Sequence, residues 1–480
     1  MLHHSNYLGC IDKKNRGNDM TRGNEYRKII AGKKVLVVGL GKSGKAAARA
    51  LNNAGAVVSI QDSSTADKLD TQFLQYMKNE NIEAFLGSKP DDMGAYDTLV
   101  LSPGVPTDLD FIEDARNKGI EIIGEIELAY RLSLGNFIAI TGTNGKTTTT
   151  SLVGNIMEAA GRKTAVVGNI GSPVVAEADD ADADTWLVTE VSSFQLETVD
   201  EFRPHVAAIL NLTPDHLNRH KTMEAYAAAK ARITENQTED DYFVYNGDDE
   251  LVSEIACNSK AKKIPFYRST EPELGAYVDD TSIIVKDENG GKHFICHTED
   301  LMIIGEHNIE NVLAASTIAF FSGVDVNTIA LAVRSFAGVE HRIELCGRVD
   351  GVDYYNDSKG TNTDAAIIAL KALENNIILI AGGDGKSQDF SELAAMFKDR
   401  VKALILLGRD AAIIEEAARK HGFENIYNCK DMPDCVRKAA ELAKEGDKVI
   451  LSPACASWDM YDNFEQRGRH FKNCVKELLR

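Results

Sequence analysis

The run Thr141-Gly142-Thr143-Asn144-Gly145-Lys146-Thr147-Thr148 constrains this chain more than any other stretch. Apolar residues Phe137 to Ile140 precede it and read as a buried strand. Thr149 to Ala160 follow it and read as a helix stopped by Gly161. A glycine loop between strand and helix, closed by Lys-Thr, is a way for a chain to cradle phosphates. Backbone N–H groups and the positive helix end face the anion, Lys146 neutralises the outer phosphates, and the Thr147 hydroxyl can ligate Mg²⁺. Gly142 and Gly145 enclose only two residues, so an ordinary P-loop NTPase is a poor match.

A second glycine loop lies upstream. Lys34 to Val38 is a strand, and Gly39-Leu40-Gly41-Lys42-Ser43-Gly44 opens a helix that ends near Gly55. Val57 to Ile60 is the next strand, with Asp62 at its end. On its own this is a dinucleotide fingerprint. It says that a nucleotide or phosphate approaches a helix N-terminus, not which one. Asp97 to Leu101 is a strand broken by Ser102-Pro103-Gly104-Val105-Pro106, which reads either as a plain turn or as a ligand-gathering strand end. Helical patterns at 110–118 and 124–132 close a first domain near residue 135.

Downstream, Lys163 to Val167 is a strand ended by Gly168-Asn169-Ile170-Gly171. Trp186 to Val191 is a strand carrying Glu190, a carboxylate that is costly there unless paired or metal-bound. Val206 to Leu212 leads into Thr213-Pro214-Asp215-His216. A helix expected over 222–236 contains Lys230 among alanines, which reads first as a solvated lysine. Short strands with turns are expected from Tyr242 to His297. Asn308 and Asn311 share one helix face and suit either a base or a helix cap. The third part alternates again, with strands at 352–356, 377–381, 401–407 and 448–451. Three of them end in Asp357-Ser358-Lys359-Gly360-Thr361, Gly382-Gly383-Asp384-Gly385-Lys386 and Ser452-Pro453-Ala454-Cys455-Ala456-Ser457. Strand and helix alternate throughout. The expected fold is therefore α/β in three domains: a Rossmann-like 25–135, a central P-loop-type ATPase domain with a mostly parallel sheet at 136–340, and a Rossmann-like 341–480.

Composition narrows the partners. Net charge is -20, which disfavours nucleic acid and leaves any anionic substrate to local cations. The eight cysteines form no Cys-x-x-Cys pair, which fits a reducing cytoplasm and offers no zinc framework. No apolar run approaches the ~18 residues of a membrane span. Residues 1–24 are polar, lack a signal-peptide core, and read as a disordered extension.

From about Gly32 to the C-terminus these motifs resemble the Mur ligase family. Gly-Thr-Asn-Gly-Lys-Thr, Asn356-Asp357-Ser358-Lys359 and Gly382-Gly383-Asp384-Gly385-Lys386 are similar to motifs of the whole family. Leu451 to Ser457, Asp459 and Asn463-Phe464-Glu465-Gln466-Arg467-Gly468 resemble the branch that adds D-glutamate. The resemblance implies a cytoplasmic, monomeric ATP-dependent ligase of peptidoglycan precursor synthesis. Its substrates would be UDP-N-acetylmuramoyl-L-alanine and D-glutamate, joined through an acyl phosphate.

The same resemblance implies roles. Gly142, Thr143, Asn144, Gly145, Lys146, Thr147 and Thr148 would hold ATP phosphates, with Asn308 and Asn311 at the adenine and Arg342, Asp357 and Lys359 reaching the nucleotide. Two Mg²⁺ ions would take Thr147, Glu190, His216 and Lys230, the last as a carbamate. Lys42, Ser43, Asp62, Ser63 and Gly104 would hold the UDP moiety, with Asn169 and His216 near the muramoyl peptide. Thr361, Lys386, Ser457 and the Phe464 backbone would take D-glutamate. Three rivals stand beside this reading: a sister or folylpolyglutamate-type ligase, an NAD-dependent oxidoreductase resting on residues 39–44, and a nucleotide-gated switch without acceptor chemistry.

Overall fold

The computed structural model describes residues 15–385 and 388–478. Its first sheet contains β1 (Lys34–Val38), β2 (Val57–Asp62), β3 (Glu83–Leu86), β4 (Thr98–Leu101) and β5 (Glu121–Gly124). The order is β3-β2-β1-β4-β5, parallel throughout. Val35 to Val38 are buried along their whole run, as parallel strands covered on both faces require. The order reverses between β1 and β4. The glycine loop after β1 and the Ser102–Pro106 turn after β4 therefore flank a switch-point crevice.

The second sheet contains β6 (Asn136–Thr141), β7 (Thr164–Gly168), β8 (Trp186–Glu190), β9 (Val206–Ile209), β10 (Tyr242–Asn246), β11 (Lys262–Tyr267), β12 (Gly275–Asp279), β13 (Ser282–Lys286) and β14 (Lys292–His297). The order is β14-β13-β12-β11-β10-β9-β6-β8-β7. It is parallel from β7 to β12 and ends in an antiparallel meander. The phosphate loop leaves β6, which lies between β9 and β8, the strand that ends in Glu190. The expected run of short strands from Tyr242 also holds a helix, Glu250–Asn258. Asp249 caps it by accepting from the Val252 N–H, and Val252 and Ala256 bury one face. The helix expected over 222–236 ends sooner, as Met223–Ala231 with a 3-10 turn at Arg232–Thr234.

Both sheets share one hydrophobic core, running from Val35 and Ile60 to Phe137, Phe202 and Phe243. They belong to one compact unit, the residues up to 301 with 309–335. The extension expected to be disordered is corrected in part. Residues 1–14 lie outside the described residues, but Asn15–Ile30 is a helix. Tyr26 and Ile30 enter the shared core, and Arg27 donates to the Leu132 carbonyl at 2.6 Å and to Asp179 at 2.6 Å. A polar sequence hid this helix because its anchors are few and its partners distant.

The second unit, 302–308 with 336–480, has its own sheet. It contains β15 (Glu344–Val349), β16 (Val352–Asn356), β17 (Ile377–Ala381), β18 (Val401–Leu406), β19 (Ile426–Asn428) and β20 (Lys448–Leu451), in the order β15-β16-β20-β17-β18-β19. Only the edge strand β15 is antiparallel. Because β16, β20 and β17 are neighbours, their three C-terminal loops gather at one end. Apolar cores cover both faces. No helix among the described residues is long and apolar enough to cross a membrane.

Candidate active site

The phosphate loop is held open by contacts along its length. The Thr143 N–H donates to the Asn211 carbonyl at 2.9 Å, and the Asn144 N–H to Asn211 Oδ1 at 2.8 Å. Thr143 Oγ1 meets the Tyr226 hydroxyl at 3.2 Å. Gly145 caps the Lys146–Ala159 helix with φ 83°, and a Cβ there would strike Asn311 Oδ1. Glycine is required on both counts. Asn311 is buried and accepts from Thr149 Oγ1 at 3.2 Å, so it braces the loop from a neighbouring helix. Lys146 Nζ donates to the Gly142 and Thr143 carbonyls at 2.9 and 2.7 Å, which folds the ammonium over the loop. Thr147 lies in the first helical turn, where backbone N–H groups lack intrahelical acceptors.

Around this loop the structure gathers Glu190, Asn169 and Lys230. Glu190 ends β8 and is 2% exposed. Its Oε1 accepts from Asn169 Nδ2 at 2.9 Å, while its buried Oε2 has no hydrogen-bond partner. Lys230 is not a surface lysine. It is 1% exposed, and Nζ donates to Thr141 Oγ1 at 3.1 Å and to the Gly142 carbonyl at 2.9 Å. Burial first, and the Lys146 ammonium second, push its pKa well below the usual lysine value, against the pull of Asp215 and Glu190. The amine is thereby favoured in its neutral form. His216 sits at the start of a short helix in the left-handed region, φ 53°. Its side chain is 48% exposed, with Nε2 3.5 Å from Asp215 Oδ2 and the ring 4.9 Å from that of Phe194.

In the first-sheet crevice, Asp62 has both oxygens engaged, Oδ2 by the Leu40 N–H at 2.6 Å and Oδ1 by the Ser64 N–H at 2.7 Å. It ties the glycine loop to the strand beside it and leaves Ser63 exposed. Ser102 Oγ donates to the Gly39 carbonyl at 2.8 Å, which ties the loops after β1 and β4 together. Lys42 and Gly104 are exposed and Ser43 half-buried at the rim.

The C-terminal unit carries its own cluster. Asp357 is buried and accepts from Ser452 Oγ at 2.7 Å, and burial pushes its pKa up to about 7. The buried Arg467 guanidinium donates to Ser358 Oγ at 3.0 Å and to the Ser358 and Cys455 carbonyls at 2.8 and 3.1 Å. Ser358 Oγ donates in turn to the Phe464 carbonyl at 2.8 Å. These bonds lock the loops after β16 and β20 to the first turn of the Phe464–Leu478 helix, with Ser457 buried among them and Thr361 half-buried. Arg342 lies between two left-handed residues, His341 (φ 67°) and Ile343 (φ 44°), each strained by ~1–3 kcal/mol. Its Nε is buried without a partner. Lys359 Nζ stands 5.8 Å over the Phe464 ring. Asn308 Nδ2 donates to the Ile304 carbonyl at 2.7 Å, which ties it to the segment before its helix. Lys386 lies outside the described residues.

Three family models match in chain order: the Mur ligase MurD-like N-terminal domain over 33–124, the Mur ligase middle domain over 140–319, and the Mur ligase glutamate ligase domain over 341–455. A protein of Thermoanaerobacter sp. (strain X514), named UDP-N-acetylmuramoylalanine--D-glutamate ligase, is 48% identical over 94% of this chain and 100% of its own length. This chain belongs to the Mur ligase family. A protein of the same name from Clostridioides difficile (strain 630) is 47% identical over 94% of this chain and 99% of its own. Among solved structures, UDP-N-acetylmuramate-alanine ligase MurC of Thermotoga maritima superposes with TM-score 0.58 at 18% identity, covering 93% of this chain and 99% of that one. MurF ligase of Thermotoga maritima in complex with ADP gives 0.56 at 16%, covering 94% and 97%. These two share the fold.

As a Mur ligase the chain is an ATP-dependent ligase. The donor set fits a divalent cation as well. A buried carboxylate oxygen without a partner is a group that a hard cation would satisfy. Several Mur ligase residues escaped the sequence reading. Asn211 and Tyr226 hold the glycine loop through contacts with residues dozens of positions away, and the charge of Asp215 acts on Lys230. Arg467 lay inside a quoted motif without a role, because nothing in one sequence shows that its partners come from two other loops.

Proposed function

We propose that this Mur ligase joins D-glutamate to UDP-N-acetylmuramoyl-L-alanine with cleavage of ATP to ADP and phosphate, a step of peptidoglycan precursor synthesis. One observation carries the reading. The phosphate loop, an under-coordinated Glu190 and a buried Lys230 meet in a single site, in a chain that matches a D-glutamate-adding ligase over 94% of its length.

The alanyl carboxylate attacks the γ-phosphorus and ADP departs, leaving an acyl phosphate. The amine of D-glutamate then attacks the acyl carbon, loses a proton, and phosphate leaves. The first step brings two anions together, so charge must be offset rather than protons moved. Lys146 lies over the loop to meet the outer phosphates, and Arg342, Asp357 and Lys359 are assigned to the nucleotide. Thr147, Glu190, His216 and Lys230 would hold two Mg²⁺, which when bound supply charge neutralisation between carboxylate and triphosphate. Lys230 suits this role as a carbamate. A neutral amine adds CO₂, loses a proton and becomes an anionic oxygen donor, and burial of Lys230 shifts it toward the neutral amine. Asn169 orients Glu190 through its 2.9 Å bond and extends toward the muramoyl peptide. Asn308 and Asn311 are assigned to the adenine, and Lys42, Ser43, Asp62, Ser63 and Gly104 to the UDP moiety. Thr361, Lys386, Ser457 and the Phe464 backbone are assigned to D-glutamate.

The test is phosphate release from ATP, with the UDP-linked acceptor and D-glutamate added singly and together. Release that requires both, with a product heavier by one glutamate, is the expected result. Dependence on another amino acid would move the chain to a sister ligase, and no release under any pairing would overturn the reading.

A further inference from the structure

The turn Glu340-His341-Arg342-Ile343-Glu344 carries charge and strain that the reaction as described uses only at Arg342. Glu344 stands at the start of β15 and anchors the turn from below. Its Oε2 accepts from the His341 backbone N–H at 3.0 Å and from Asn356 Nδ2 at 3.1 Å. Its Oε1 takes the Lys472 ammonium, which also reaches Glu340 at 3.0 Å. The orientation of Asn356 is fixed, because its Oδ1 accepts from the Ser358 N–H at 3.1 Å. Asn356 Nδ2 therefore also donates to His341 Nδ1 at 2.7 Å, which leaves the imidazole proton on Nε2. Glu340, His341 and Glu344 lie close enough to suggest a metal site, yet that tautomer and the Lys472 ammonium both oppose a cation.

What the cluster does hold is backbone. The His341 carbonyl accepts from the Lys359 N–H at 3.1 Å, and the Ile343 N–H donates to Asp357 Oδ1 at 3.4 Å. Two residues in left-handed conformations persist only where the surroundings over-determine them. Glu344 grips both the turn, through the His341 N–H, and the strand end at Asn356. We propose that Glu344 is a positioning residue for the reaction: it pins the strained turn so that the Arg342 guanidinium is presented in one orientation. This rests on the phosphate role given to Arg342 above.

The test is steady-state kinetics and thermal melting of Glu344→Ala, Glu344→Gln, Arg342→Ala and the Glu344→Ala/Arg342→Ala pair. Misplacement of a charge-stabilising group by an ångström costs up to ~100-fold. Glu344→Ala should lower kcat by roughly tenfold to a hundredfold, with KM for the UDP-linked acceptor unchanged. Glu344→Gln keeps an oxygen for the two donors and should recover most of that loss. In the Arg342→Ala background, Glu344→Ala should change kcat by less than about twofold. An equal fold-loss in both backgrounds, or a lower Tm with wild-type kcat, would overturn the proposal. Arg342→Ala with wild-type kcat would instead overturn the phosphate role itself. Should Glu344→Ala melt below assay temperature, Glu344→Asp, which withdraws the carboxylate by one methylene, carries the same comparison.

Discussion

Lys230 shows how far a residue's surroundings can change its chemistry. Read among alanines it is a solvated cation, and read in the fold it is a buried amine beside a second ammonium. Replacing it with alanine removes the oxygen donor that a carbamate would supply. Loss of a single charge-stabilising group of this kind lowers kcat by roughly a hundredfold to a thousandfold. Small carboxylates such as acetate should restore part of the rate by occupying the vacated space. Full activity of Lys230→Ala without added carboxylate would refute the role. Lys386→Ala addresses the other substrate. It should raise KM for D-glutamate at least tenfold while KM for ATP stays within about twofold, since one charge-assisted pair is worth ~1.5–3 kcal/mol. Equal losses for both substrates would argue against the assignment.

Elements, not single residues, set the two tight junctions of the first unit. Gly145 begins the phosphate-loop helix at a φ that a side chain resists, with Asn311 where a Cβ would go. Gly145→Ala should therefore raise KM for ATP or abolish turnover while KM for the UDP-linked acceptor is unchanged; wild-type KM for ATP would show that the loop tolerates the displacement. Glu125 opens the helix after β5 and accepts from the Val175 N–H at 2.7 Å, which caps the Val174–Ala178 helix of the neighbouring domain. Burial pushes its pKa from 4.5 up to about 7. Between those values the folded state holds a proton that the unfolded state has lost, so stability falls as pH rises from 4.5 to about 7 and is level above. The loss approaches about 3 kcal/mol. Glu125→Gln lacks this titration. Its Tm should match the wild type near pH 4 and exceed it at pH 8, and a difference independent of pH would sink the account.

At the scale of the whole molecule, the cores predict how the chain melts. The first two sheets share one core and form one unit, whereas the C-terminal sheet has apolar layers of its own. Two calorimetric transitions are expected, and UDP should raise only the one that belongs to the first unit, by the mass action of a ligand that binds its folded form. A single transition that UDP moves as a whole would contradict this division. The same shared core explains the Asn15–Ile30 helix. Arg27 reaches Leu132 and Asp179, and Tyr26 reaches Arg131, all more than a hundred residues away in sequence, while Tyr26 and Ile30 join the shared core; no local pattern displays this.

The sequence by itself determined the alternation of strand and helix, the two glycine loops, and the strand ends at which Glu190, Asp357 and Ser457 stand. Those are local: hydrophobic period, glycine where φ is positive, and hydroxyls and charges at strand ends are written in neighbouring residues. Strand Ile377–Ala381 was legible to the residue because an unbroken apolar run bounded by turn signals admits little else. The strands Glu83–Leu86 and Glu121–Gly124 were not, because both lie at the edges of their sheet, are partly exposed and offer no long unbroken apolar run. Tertiary structure alone decided that Lys230 is buried, that Glu190 keeps one oxygen unpartnered, that Asp62 spends its carboxylate on two backbone amides, and that Glu344 holds the turn at Arg342. Each of these depends on groups brought together from distant parts of the chain, and burial and hydrogen-bond partnership are properties of that assembly rather than of the residue.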